Sequence, residues 1–501
     1  MTIQFNSIPQ SNLRVPLFYA EINRAQAPYI SISRLLLVGQ MLSDGGATAG
    51  EPVHVQGDPR TLFGNNAMLV DMVDKARANA PIQEIWALPL ADAVAGVAAT
   101  GKITVNAAAF PVAGAATLSV WIGEWRTRVI CYVTDDEDTL AARLITAINA
   151  TERCPVTAVV NGSNANEIDL TARHKGTIGN SIYLDTNYYG DEGPLAAKLF
   201  TFTQMSGGTG DPDVTSALAN LGDDEYDWIV GPYSDAVNLG AFSTFLNGQS
   251  GRWSPFKQLY GHYLGMKVDT VSNLMTYGET YNDPHLSIFG IYRSASPSWC
   301  WAGAIGGRMA FHLSEAPELS RPLQTLDLIG ILPPKAPANR PAQTDRQSLY
   351  FSGISSYHVD GKTKTASIDR LITTYQNNEW GSPDPSWLDV NTLAQSMYAI
   401  RAIRAAVTGQ WGRAALMDEN PDGLEGVATT PDIRATIVHE YNRLHRLGVV
   451  DNPDLFEAKL IVERNAVDAN RVDIYLPADH VNQLRIIAVN YVSHLQYAEA
   501  A

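Results

Sequence analysis

Tyr226-Asp-Trp-Ile-Val-Gly231, Gln258-Leu-Tyr-Gly-His-Tyr-Leu264 and His285-Leu-Ser-Ile-Phe-Gly-Ile291 are three short, mainly apolar runs. Each follows a helical pattern, over Val214–Leu221, Ala236–Asn247 and Val271–Gly278 respectively, and a longer helix is predicted over Ser298–His312. Apolar strands alternating with amphipathic helices predict parallel βαβ units, hence a doubly wound sheet. Upstream, Ser33–Gly39 and Ile82–Leu90 have the same strand character. Between them Met68, Leu69, Met72, Val73 and Ala76 fall at helical spacing, which predicts a helix over Asn65–Asn79.

Either side of this centre the pattern changes. From 98 to 205 come short alternating strands at Ile103–Val105, Thr117–Ile122, Arg126–Val133, Val156–Val160 and Ile168–Thr171, with one helix over Thr139–Ala150. This stretch reads as a small, mostly-β insertion. The Pro-rich Ile331–Pro341 is a rigid loop, and Gly381–Pro385 is another break. From 376 onward the chain is α+β. A helix is expected over Val390–Trp411, and a second opens at Thr430-Pro431 and closes at Gly448. Strands follow at Lys459–Asn465, Arg471–Leu476 and Leu484–Leu495. In the last, Ile486, Ile487, Val489, Tyr491 and Val492 make both faces apolar, which predicts cover on both sides.

The beginning of the chain differs again. Leu13, Val15, Leu17 and Tyr19 share one face of an extended segment by the period of two. Pro16 cannot donate to a ladder, so this strand pairs on one side only. With no hairpin partner nearby, its partner must be distant. The expected organisation is an N-terminal extended arm (1–25), a discontinuous central α/β domain (26–97 and 206–375), the inserted mostly-β domain (98–205) and a C-terminal α+β domain (376–501).

The chain has 501 residues, 45% hydrophobic and 18% charged, with a formal charge of −16, so a sizeable core is available while the acidic balance repels phosphate backbones. Nucleic acid is not an expected partner. Cys131, Cys154 and Cys300 form no CxxC pair, and buried reduced thiols are expected, with a Cys131–Cys154 bridge as the alternative. Met1–Gln10 lacks the pattern of a signal peptide, and no apolar run reaches the roughly 18 residues of a membrane span. Synthesis in a cytoplasm is expected, with retention there or exit inside a particle.

Near misses for chemistry fail on spacing. Gly96-Val-Ala-Ala-Thr-Gly-Lys-Ile103 resembles a phosphate-binding loop but has Ile103 where a Mg²⁺-binding hydroxyl belongs. His439 and His445 are six apart on a helix, whereas paired zinc ligands need a spacing of about four. Asp235, His262 and Ser294 stand in the α/β stretch without any motif around them, and no Gly-x-Ser-x-Gly elbow occurs. No catalytic, metal-binding or cofactor-binding residue is assigned. The helix from Asn391 to Leu416 carries Arg401, Arg404 and Arg413 and no acidic residue. Arg401 and Arg404 share a face, which is either simply solvated or a docking surface for an acidic partner.

Several segments together resemble the contractile tail sheath proteins of Mu-like myophages. They are Leu13-Arg-Val-Pro-Leu-Phe-Tyr-Ala-Glu-Ile22, Glu84-Ile-Trp-Ala-Leu-Pro-Leu90 and Arg321-Pro-Leu-Gln-Thr-Leu326. The strongest is Leu460-Ile-Val-Glu-Arg-Asn-Ala-Val-Asp-Ala-Asn-Arg-Val-Asp-Ile-Tyr-Leu-Pro477, followed by Val481-Asn-Gln-Leu-Arg485. Leu17 stands where that family usually has Gly. The resemblance implies a structural, non-enzymatic subunit that stacks as hexameric rings around a tail tube. It implies a central domain similar in fold to subtilisin-like domains, without protease function. It also implies inter-subunit strands, here Leu13, Val15, Leu17 and Tyr19 of the arm and Ile486, Ile487, Val489, Tyr491 and Val492 of the tail, that link neighbours into a shared sheet. On contraction the tube is driven through the host envelope. Implied partners are other copies of the chain, the tube protein, and baseplate and tail terminator proteins; the implied location is the virion, after synthesis in the host bacterial cytoplasm. Tube contact is expected at Arg401, Arg404 and Arg413. Another tail assembly component and an α/β hydrolase-type enzyme are the alternatives.

Overall fold

A computed structural model describes residues 33–106, 110–111, 114–191 and 194–494. Leu13, Val15, Leu17 and Tyr19 lie outside the described residues.

An eight-stranded sheet forms the centre. Its strands are β1 (Leu35–Gln40), β2 (Val53–His54), β3 (Ile85–Leu90), β4 (Trp228–Val230), β5 (His262–Val268), β6 (Leu286–Ile291), β7 (Ile354–Val359) and β8 (Ala366–Arg370), in the spatial order β8-β7-β6-β5-β4-β1-β3-β2. The six inner strands run parallel, and β2 and β8 are antiparallel edges. Every residue of β1 and β6 is buried. That follows from sequences apolar on both faces, because helices cover both sides of a parallel sheet.

Helix α1 (Met68–Asn79) lies between β2 and β3 in the chain, on the crossover from β1 to β3, and α2 (Ser298–His312) lies against it. The two backbones touch because α2 has glycine where side chains would collide. A Cβ on Gly303 would stand 2.3 Å from the carbonyl oxygen of Met72, and one on Gly307 would stand 2.6 Å from that of Ala76. The Gly-x-x-x-Gly spacing puts both on one face of the helix.

Between β3 and β4 the chain builds two further sheets. Strands Phe200–Ser206, Ala98–Val105, Glu167–Lys175 and Val156–Val160 form an antiparallel four-stranded sheet, and Trp125–Tyr132, Ala115–Ile122 and Leu184–Asp185 form a three-stranded one. A helix over Glu137–Ala150, capped by Asp136, packs its Leu140, Ala141, Leu144 and Ile148 inward. After β8 come α3 (Val390–Trp411) and α4 (Thr430–Arg446). These helices share a second apolar cluster containing Ile403, Ile437, Tyr441, Leu444 and Phe456. A two-stranded hairpin, Ile461–Arg464 with Val472–Tyr475, follows.

Beyond short helices and bridges, two segments depart from the sequence reading. Gln343–Phe351 is a helix where none is expected. Residues 484–494 form no strand: Ile486, Ile487, Val489, Tyr491 and Val492 are all exposed, Ile486 at 83% and Tyr491 at 84%. The expectation that this segment is covered on both sides is therefore corrected for the single chain. Among the described residues no sheet edge pairs with it, and its two apolar faces are exposed. All three cysteines are free and buried, with no Cys131–Cys154 bridge.

Candidate assembly interface

In a doubly wound sheet the chemistry normally sits where strand order reverses, outside the carboxyl ends of the strands. Here that point lies between β1 and β4, and the chain fills it with its own side chains. Gln40, at the end of β1, donates to Asp92 Oδ1 at 2.6 Å and to the Lys175 carbonyl at 2.9 Å. Tyr233, just beyond β4, donates to Gln40 Oε1 at 3.4 Å. His174 of the insertion donates from Nδ1 to Asp92 at 3.2 Å and accepts at Nε2 from the Met68 N–H at 3.1 Å. Met68 opens α1, whose cap residue Ala67 supplies no side-chain cap. The N–H that could hold an anion at a helix N-terminus thus binds an imidazole nitrogen instead. Burial works against the Asp92 carboxylate, but hydrogen bonds from His174, the Lys175 N–H and Gln40 outweigh it and hold Asp92 below its ordinary value.

The other near misses are similarly committed. Gly96–Ile103 runs into the strand Ala98–Val105, and Lys102 pairs with Glu167 at 2.7 Å. Asp235 caps a helix by accepting from Asn238 N–H, His262 bonds Ser287, and Ser294 donates to the Leu332 carbonyl. These last three do not converge.

The basic helix face is rearranged by the fold. Arg401 is buried, pairing with Asp227 at 2.7 Å and Glu225 at 2.9 Å, donating to the Leu259 carbonyl at 3.1 Å and lying over the Tyr260 ring. The expectation that Arg401 faces an outside partner is corrected: it fastens α3 to the residues leading into β4. Arg404 is half-buried and donates to Gln258 Oε1 at 3.0 Å. Of the three, Arg413 alone is exposed.

The tail is fixed up to residue 485. Asp479 donates from its N–H to the Tyr441 hydroxyl, and Val481 N–H donates to the Val449 carbonyl. Gln395 donates to the Val481 carbonyl at 2.8 Å and Gln324 to that of Leu484 at 3.3 Å. Arg485 then pairs with Asp389 at 2.9 Å. Beyond it, among the described residues, the backbone of 486–492 makes no backbone hydrogen bond. Among the described residues, this part of the chain therefore offers unpaired main-chain groups beside exposed apolar side chains. The hairpin just upstream has both of its edges unpaired among the described residues.

The phage tail sheath C-terminal domain matches residues 382–493, which hold α3, α4, the hairpin and the tail. A Mu-like prophage tail sheath protein from Haemophilus influenzae is 33% identical over 495 residues, spanning 97% of this chain and 99% of its own. The chain belongs to the Mu-like phage tail sheath family, structural subunits of a contractile tail sheath. Among solved structures, a sheath tail protein from Desulfitobacterium hafniense overlaps 93% of this chain and 97% of its own, at 11% identity and a TM-score of 0.47. The helical sheath of the anti-feeding prophage in its contracted state overlaps 96% of this chain and 100% of its own, at 12% identity and a TM-score of 0.46.

Proposed function

We propose that residues 486–492 form a strand donated to a neighbouring subunit, received by the Ile461–Arg464/Val472–Tyr475 hairpin of that neighbour. The arm around Leu13, Val15, Leu17 and Tyr19 adds to the same shared sheet. Subunits linked in this way stack as hexameric rings around a tail tube, meet baseplate and terminator proteins at the ends, and contract to drive the tube through the host envelope. The protein does this as part of the virion, after synthesis in the host cytoplasm, and performs no catalysis. The observation that carries this reading is the row of exposed apolar side chains on a backbone that finds no backbone partner among the described residues. Strand addition uses main-chain hydrogen bonds, each worth about 1 kcal/mol net, so four or five per joint give about 4–5 kcal/mol before side-chain burial.

The division into an arm (1–25), a discontinuous α/β body (26–97 and 206–375), an insertion (98–205) and a C-terminal domain (376–501) fits this role, with the body similar in fold to subtilisin-like domains. With Arg401 buried, tube contact falls to the exposed Arg413 and to Arg404. Arg413→Glu is expected to weaken docking on the tube and to leave sheath self-assembly intact.

The test is Val489→Pro, which removes a ladder donor from the tail. The variant is expected to stay monomeric with an unchanged melting temperature, while the parent forms hollow cylinders under negative stain. Cylinders from the variant would overturn the reading.

A further inference from the structure

A donated strand carries load only if its root is held. Asp389 is the residue before α3 and by type a good helix cap. Its side chain makes no cap hydrogen bond, however, and only its carbonyl serves the helix, accepting from Thr392 N–H at 3.0 Å. The carboxylate turns instead to two guanidinium groups. Arg370, the last residue of β8, forks onto it with Nε at 3.0 Å from Oδ1 and Nη2 at 3.0 Å from Oδ2. Arg485 reaches the same Oδ1 from the tail at 2.9 Å and Asn391 Oδ1 at 3.4 Å. The Asp389 and Arg485 side chains are each only 15% exposed, and a carboxylate held by guanidinium forks in such a setting resists salt better than a surface pair.

We propose that Arg485, Asp389 and Arg370 form the root clamp of the donated strand, setting where the free segment begins and passing its tension into the edge of the central sheet. This rests on the reading of residues 486–492 as that strand. Arg485 is a positioning residue, since it contacts its own chain and acts on the partner through the segment that follows it. Asp389 is tied to the end of β8 by this fork and to the residues just after β8 by the short pairing with Ile372. A pull on the tail therefore meets the sheet and the start of α3 together. The ligand of the clamped segment is a second copy of this chain.

The experiment uses the full chain. Arg485→Met is expected to keep the monomer's melting temperature and to raise the critical concentration for polymerisation about tenfold, which corresponds to about 1.4 kcal/mol. Asp389→Asn, which also releases Arg370, is expected to raise the critical concentration at least as much, and the double variant to be no worse than Asp389→Asn alone, because the Arg485–Asp389 linkage is already broken in it. Arg485→Lys keeps the charge and is expected to recover part of the loss. Amide exchange in the monomer should quicken at residues 481–485 in Arg485→Met and stay unchanged in the body. A merely structural role would lower the melting temperature without moving the critical concentration of the remaining folded protein. Deletion of 486–494 separates the two ideas. If the deletion still polymerises, the strand reading falls. If the deletion blocks assembly while Arg485→Met and Asp389→Asn assemble at the parent's critical concentration, the clamp falls and the strand reading stands.

Discussion

Arg401 shows how one residue can be read correctly for chemistry and wrongly for place. Helical spacing identifies its face but not what packs there. The clue lay elsewhere, in Asp227, an acidic residue inside the apolar run that opens β4. Removing Arg401 leaves that buried carboxylate without its cation, which costs about 3–5 kcal/mol. Arg401→Met should lose that much in urea unfolding, with a cooperative transition retained. Asp71 of α1 gives a second test. It faces Arg153 of the insertion, Trp299 and Cys300 of α2, and Glu124, with Lys75 and Asp74 on its own helix. Burial pushes Asp71 up to about 7, against the pull of Arg153. The folded chain thus holds a proton that the unfolded chain loses near 3.8, so this group favours folding in acid and loses that contribution progressively as pH rises from about 4 to about 7. Asp71→Asn should flatten the change in stability between about pH 4 and pH 7; an unaltered slope would assign the effect to another group.

At the scale of elements, periodic apolar faces were legible and polar ones were not. The helix Ser298–His312 matches its expected bounds because it is apolar on nearly every side and strongly buried. The helix Gln343–Phe351 escaped because it buries only Leu349 and presents a mostly polar surface. The tail was misread for a physical reason. Two apolar faces announce that a strand will be covered, and they give no hint whether the cover belongs to the same molecule. The mutual approach of α1 and α2 was not legible either, since a glycine pair in a helix has no periodic signal. Gly303→Ala should cost about 1–3 kcal/mol by overpacking, read as a fall in melting temperature, because its methyl group would strike the Met72 carbonyl rather than a movable side chain.

At the scale of the molecule, assembly is the function, and the proposed reading puts its controls at the two extended segments. Removal of residues 1–22 should leave a folded, unpolymerised subunit by sedimentation; cylinders from the truncated protein would show that the arm is not a link. The body was readable because βαβ alternation is a strong local signal, whereas the segments proposed to contact other copies look unfinished in one copy. The bridge of Asp92 and His174 at the turning point of the sheet has a practical corollary. The insertion is keyed into the crevice by Gln40, Asp92 and the start of α1, so it cannot swivel on the body without breaking that lock. A dye or gold particle attached at an outlying position such as Ser163, exposed at a turn of the insertion, would act as the hand of a clock, reporting through one visible point the angle turned by the whole subunit as the sheath shortens.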